Sequence, residues 1–147
     1  MIVAEEPQKL VRDTARDFAS RRLRVIGQEM EESGKMPPSL FTELGRLGLL
    51  GLPIPEEYGG LGAGFLASAI AMEELAKVSG AATLSYGAHS FLCAYNFYSH
   101  ANEDLRRKYL PGLISGETIG AFALTEPEAG SDAASLKTKA EIGRAHV

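Results

Sequence analysis

The chain has 147 residues, 45% hydrophobic and 23% charged, which supplies enough apolar side chain for one globular core and too much for a disordered polypeptide. A formal net charge of -4 argues against a general polyanion binder, because neutralising phosphates takes a surplus of Lys and Arg on one face. Its one cysteine, Cys93, excludes a disulfide scaffold and suits a reducing compartment.

The opening "MIVAEEPQKL" is acidic and has no long apolar run, so it reads as neither a secretory signal nor an Arg-rich transit peptide, and a cytoplasmic location is expected. Val11, Ala15, Phe18, Ala19, Ile26 and Met30 recur at helical spacing, which predicts an amphipathic helix over about 6–32 with Pro7 in its first turn. Arg21, Arg22 and Arg24 form the only basic cluster; acids flank it, so it reads as a solvated helix face. "SGKMPPS" interrupts the helix, and Ser39 is expected to cap a second one through Leu40, Leu44 and Leu47. "GLLGLPIPEEYGGLGAG", with two prolines and six glycines, must be a structured loop. Helix resumes near Phe65, and Gly80 is expected to close it as a C-terminal cap. Glu73 and Glu74 are adjacent and diverge, Glu56 and Glu57 lie in the loop, and both pairs read as solvated structure.

From Val78 to Asn102 there is no Asp, Glu, Lys or Arg, a span long enough to cross a bilayer on charge alone. Ser79, Thr83, Ser85, His89, Ser90 and Asn96 make it too polar for lipid, so it predicts a helix over about 81–100 buried inside protein, apolar or small on nearly all sides. His89 and Cys93, four apart, would share a face as a thiol and its base or as two metal ligands; without a third ligand or orienting partner, a buried cysteine acting as a small apolar residue is the simpler reading, and no metal site is expected. Asn102 then caps "NEDLRRKYLPGLISG", with Glu103 and Asp104 at the positive end of the dipole and Pro111 expected to interrupt the last turns. After Gly116, "TIGAFALT" predicts a strand. The fold class is therefore mainly α: a helical bundle over 1–117 followed by the opening of a β region, which needs further strands to be stable.

The stretch "ALTEPEAGSDAAS", 123–135, carries the densest set of hydrogen-bonding groups. Pro127 holds Glu126 extended, and Gly130 is free to take a positive φ. Amides around Gly130, Ser131 and Asp132, with the hydroxyls of Thr125 and Ser131, could converge on a phosphate or an electron-rich ring. The simpler reading of the residues alone is an ordinary loop in which Thr125 with Glu128, or Ser131, caps a turn of helix.

The run "FALTEPEAGSDAASLKTKAE" resembles the signature of the acyl-CoA dehydrogenases, flavoproteins that desaturate acyl-CoA thioesters between the α and β carbons. "VRDTARDFA", "LGRLGLLGLPIPEEYGGLG", "AMEELAKVSG", "LSYGAHSFLC" and "RRKYLPGLISGE" resemble the same family in its own order, so the likeness covers residues 6 to 140. It implies an all-α N-terminal domain over 1–117, the start of a middle β domain over 118–140, and FAD as cofactor. By carry-over, Phe122, Leu124 and Thr125 lie beside the isoalloxazine ring, Gly130 and Ser131 near the pyrophosphate, and Ser131 also contacts the acyl-CoA. The uncharged helix lines the acyl pocket, with Ser85, Ala88 and Leu92 facing it one turn apart. Small Ala88 and branched Leu92 suggest a short or branched acyl group; "LSYGAHS" is most similar to isovaleryl-CoA dehydrogenases, while the first helix equally resembles short-chain enzymes.

The implied mechanism removes an α proton with a glutamate as the β hydrogen leaves as hydride to the flavin, with electrons then passed to an electron-transferring flavoprotein. The family's glutamate lies beyond residue 147, so no acid here takes that role. The family also implies a homo-oligomer, a tetramer, at full length. The last residues, "EIGRAHV", depart from the pattern and resemble a translated sequencing adapter, so 141–147 read as a foreign tail on an N-terminal fragment that is inactive alone. Two other classes remain: a non-catalytic helical interaction module, and a related acyl-CoA oxidase.

Overall fold

The computed structural model describes residues 6–139; the tail assigned to 141–147 lies outside them. Helix α1 (Glu6–Phe18), a π-helical turn (Ala19–Leu23) and α2 (Arg24–Ser33) form one rod, closed where Gly34 takes φ 66° and its N–H donates to the Met30 carbonyl. The expected stripe is buried at Val11, Ala15, Phe18, Ala19 and Ile26, and Leu23 joins it from the π turn. Helix α3 (Ser39–Arg46) starts differently from expectation, because Pro38 occupies the capping position and no side chain caps the end. Pro37 and Pro38 accept from Leu40 and Phe41 at 3.1 Å each, and proline's preset φ starts the turn without help from Ser39.

The glycine-rich loop is a piece of the core. Leu49, Leu50, Leu52 and Ile54 are at most 1% exposed, while Gly62 N–H donates to the Ile54 carbonyl and Ala63 N–H to that of Leu52. Helix α4 (Gly64–Ala76) ends at Lys77, and Gly80 opens α5 (Gly80–Gly87) instead of capping α4. The reason is Ser79, whose extended backbone and hydroxyl, accepting from Ala82 N–H, make it the better boundary residue.

From α5 the helix runs on through a π-helical stretch (Ala88–Tyr95) into α6 (Asn96–His100). It is one-sided: Tyr86, His89, Ser90 and Ala94 are buried, but Leu84 is 75% and Leu92 51% exposed, so the expectation of burial on nearly all sides fails. Asn102 caps α7 (Glu103–Ser115) as predicted, its side chain accepting from Leu105 N–H at 3.0 Å, and Gly116 closes α7 at φ 76°. Pro111 does not interrupt α7. It is exposed, so the carbonyl it leaves without a helical donor lies on the solvent side.

Two apolar clusters hold these elements. The larger joins Phe18, Leu23, Leu40, Leu44, Leu75 and Tyr86; the smaller joins Ile54, Tyr58, Ala94, Leu110, Leu113 and Ile114. Helices α3 and α7 meet backbone to backbone, since a Cβ on Gly45 would strike the Ser115 carbonyl and one on Gly116 that of Phe41. Glu74 is not solvated: its side chain is 2% exposed and accepts from Arg12 at 2.6 Å, Arg16 at 3.2 Å and Lys77 at 3.0 Å, tying α1 to α4. Bonding to Arg16 foremost, then to Lys77 and Arg12, outweighs the cost of burial and holds its pKa at about 2.

Candidate functional site

His89 organises the region where the uncharged helix meets the chain leaving α7. It is 0% exposed, its ring lies 5.1 Å from that of Phe41, and both nitrogens meet backbone, the Gly120 amide at Nδ1 and the Leu113 carbonyl at Nε2, each at 2.9 Å. Burial pushes its pKa down, favouring the neutral ring. Gly120 packs so tightly that a Cβ there would strike Cys93 Sγ. Burial raises the Cys93 thiol, which stays protonated, and among the described residues no group of His, Cys, Asp and Glu could hold a metal ion. The thiol–base and metal readings of His89 and Cys93 therefore have no support in the geometry.

Beyond Gly120, residues 121–125 belong to no helix and no ladder, so the predicted strand is absent among the described residues. A ladder needs a partner, and among the described residues the only bridge is local, between Glu126 and Ala129. Glu126 N–H donates to the Ala129 carbonyl at 3.0 Å and Ala129 N–H returns to the Glu126 carbonyl at 3.2 Å, making a tight turn over Pro127. The Glu126 carboxylate braces that turn: it accepts from the Lys137 amide at 2.8 Å, the Thr138 amide at 2.9 Å and the Thr138 hydroxyl. These bonds, that from the Thr138 hydroxyl first, lower its pKa and keep it charged.

Neither Thr125 nor Ser131 caps a helical turn. The short turn Ala133–Ser135 is instead entered through Asp132, whose carboxylate accepts from Ser135 Oγ at 2.5 Å. Gly130 does not use the positive φ open to it, since the reciprocal bonds of Glu126 and Ala129 already reverse the chain. Among the described residues, the amides of Gly130 and Ser131 and the hydroxyls of Thr125 and Ser131 donate to no protein group. All three residues are exposed, and Phe122 and Leu124 are each 45% exposed beside them in the chain. Such apolar faces next to free donors fit a ligand with a flat ring and an anionic part.

Ser85 and Ala88 are half-buried and Leu92 is exposed, on the side of the helix away from Tyr86 and Ala94. Because Gly120 bonds to His89, the segment that leads to Phe122 starts against this same helix. The brace of Glu126 and the role of His89 escaped the residue pattern. A polar ring in an uncharged helix was the available signal for His89, since a buried imidazole must find partners; nothing local marked Glu126.

Residues 5–117 match the family described as acyl-CoA dehydrogenase, N-terminal domain. The chain is 48% identical over 138 residues to mitochondrial isovaleryl-CoA dehydrogenase of Bos taurus, covering 92% of this chain and 32% of that protein. It superposes on butyryl-CoA dehydrogenase from Megasphaera elsdenii with TM-score 0.85 and 33% identity, over 94% of this chain and 37% of that one. For the acyl-CoA dehydrogenase complexed with FAD from Bacillus anthracis the TM-score is 0.79 and the identity 34%, over 88% and 23% of the two chains. The chain thus spans about a third of the length of the curated relatives it matches.

Proposed function

The chain belongs to the acyl-CoA dehydrogenase family, of which it carries the N-terminal domain, and from that premise we propose that it is the leading part of an FAD-dependent enzyme that desaturates a short or branched acyl-CoA to the 2-enoyl-CoA. The observation that carries this is the free donor set of Thr125, Gly130 and Ser131 beside exposed Phe122 and Leu124, in a segment that starts against His89 and Cys93 of the helix that also carries Ser85, Ala88 and Leu92. Those residues fit FAD: apolar side chains for the ring, amides and hydroxyls for the pyrophosphate, and Ser131 reaching also to the thioester ligand. Bound FAD would supply the acceptor for the β hydrogen. This chain's part is to seat the ring, shape the acyl channel and exclude water from it.

The α-proton acceptor belongs to the segment the family carries after residue 147, and Glu126, committed to the Lys137 and Thr138 amides, takes no such part. Residues 118–140 open the middle domain, and the final seven residues are a foreign tail. Electrons pass to an electron-transferring flavoprotein, and the full-length enzyme is a tetramer. Cys93, free and half-buried, suits a reducing cytoplasm. Among the described residues no helix is long and apolar enough to cross a membrane.

Purifying the protein of the intact gene tests the reading. A yellow protein bleached by isovaleryl-CoA or butyryl-CoA, reoxidised by an electron-transferring flavoprotein, is expected. Peroxide release with the same bleaching would identify an oxidase, and a colourless protein indifferent to acyl-CoA would identify a helical interaction module.

A further inference from the structure

We propose that His89 is a positioning residue: in its neutral form with the proton on Nε2, it clamps the Gly120 amide and thereby fixes where the segment from Ala121 to Ser131 leaves the helical domain. The chemistry of its partners dictates the form of the ring. A backbone carbonyl only accepts, so the Leu113 oxygen at 2.9 Å requires a proton on Nε2. A backbone amide only donates, so the Gly120 nitrogen at 2.9 Å requires a bare Nδ1. The opposite tautomer would set N–H against N–H at Gly120 and lone pair against lone pair at Leu113.

The ring ties the end of α7 and the Gly120 amide to the uncharged helix, beside the packing of Gly120 on Leu113 and Cys93. Leu113 lies in the last turn of α7, which closes at Gly116; Thr118 N–H then folds back onto the Gly112 carbonyl at 3.0 Å. Gly120 is next along this path, pressed against Cys93 on the turn of helix after His89. Past it, residues 121–125 have no ladder partner among the described residues, so the direction of Phe122, Leu124 and Thr125 follows from the hold on Gly120 by His89 and on the neighbouring Ala121 backbone by Cys93. The clamp needs no ligand; only its consequence, that loosening it misplaces the ring-facing side chains, rests on the flavin reading above.

The test uses the 147-residue chain labelled with nitrogen-15. Long-range proton–nitrogen spectra are expected to report a protonated Nε2 and an unprotonated Nδ1 for His89, and the Gly120 amide is expected to exchange slowly with solvent. His89→Gln, which can reach Leu113 but offers Nδ1's place no acceptor, should speed Gly120 exchange by about tenfold or more while Leu110 stays protected. His89→Asn, whose oxygen can stand where Nδ1 stands, should restore Gly120 protection. A proton found on Nδ1, unchanged Gly120 exchange in the Gln variant, or equal loss in the Asn variant would each overturn the clamp. If both variants fail to fold, the tautomer of the unsubstituted chain decides. None of these readouts involves flavin, so the clamp and the desaturase reading can fail separately.

Discussion

Ala88 presents one methyl group on a half-buried helix position between Ser85 and Leu92, where any larger side chain would extend into the proposed acyl channel. In the intact enzyme, Ala88→Leu is expected to reduce turnover of isovaleryl-CoA relative to butyryl-CoA by about tenfold, the scale of a few methylenes in an apolar pocket. Unchanged relative turnover would remove Ala88 from the channel. Glu74 makes a different kind of prediction, because its carboxylate is buried among Arg12, Arg16 and Lys77. Glu74→Gln should cost about 2 kcal/mol of stability at neutral pH, read from urea unfolding, since it leaves the cations facing one another without their shared anion. Its pKa falls from the ordinary 4.5 to about 2 on folding, so the unfolded chain takes up the proton first as pH drops. The stabilisation is complete above 4.5 and is lost progressively down to about 2, and the Gln variant should lose less over that window. Parallel acid curves for the two proteins would show that the cluster contributes nothing.

Helix boundaries were legible at Asn102 and Gly116 and misplaced at Ser39 and at Gly80, where Ser79 makes the boundary. At Asn102, Oδ1 accepts from Leu105 N–H, and Asn102→Ala should cost about 1 kcal/mol with the unfolding slope unchanged. A neutral substitution there would mean that Glu103 and Asp104 suffice to start α7. Ser39 looked equivalent in the sequence, yet consecutive prolines preset the turn before it. Pro111 looked like a break, yet α7 continues because the lost bond faces solvent. Periodicity could not announce the π-helical turns at Ala19–Leu23 and Ala88–Tyr95 either, since inserting a residue shifts the helix face without changing which residue types line it. The candidate site divides the same way. The donors and apolar side chains of 122–131 were visible as residue types, whereas the bonds that leave Thr125 and Ser131 free, those of Glu126, Ala129 and Asp132, depend on how the turn closes.

At the scale of the molecule, large apolar side chains are exposed on the helices as well as on the segment after them: Leu10, Phe65, Leu84 and Leu92, like Phe122 and Leu124, are each at least 45% exposed. We expect residues 1–147 alone to fold but to retain no stoichiometric FAD after gel filtration, because the proposed ring-facing segment has no ladder partner among the described residues to stiffen it. Tight, yellow, one-to-one retention would contradict this and would mean that the segment is preformed. The sequence by itself determined the helical bundle and the positions of its main helices, because hydrophobic spacing and turn residues act within a few positions along the chain. Only the tertiary structure decided that Glu74 is the buried anion between α1 and α4, and that His89 holds Gly120. Burial and pairing of those groups arise from residues far apart in the chain, and such neighbours exist only once the helices have packed.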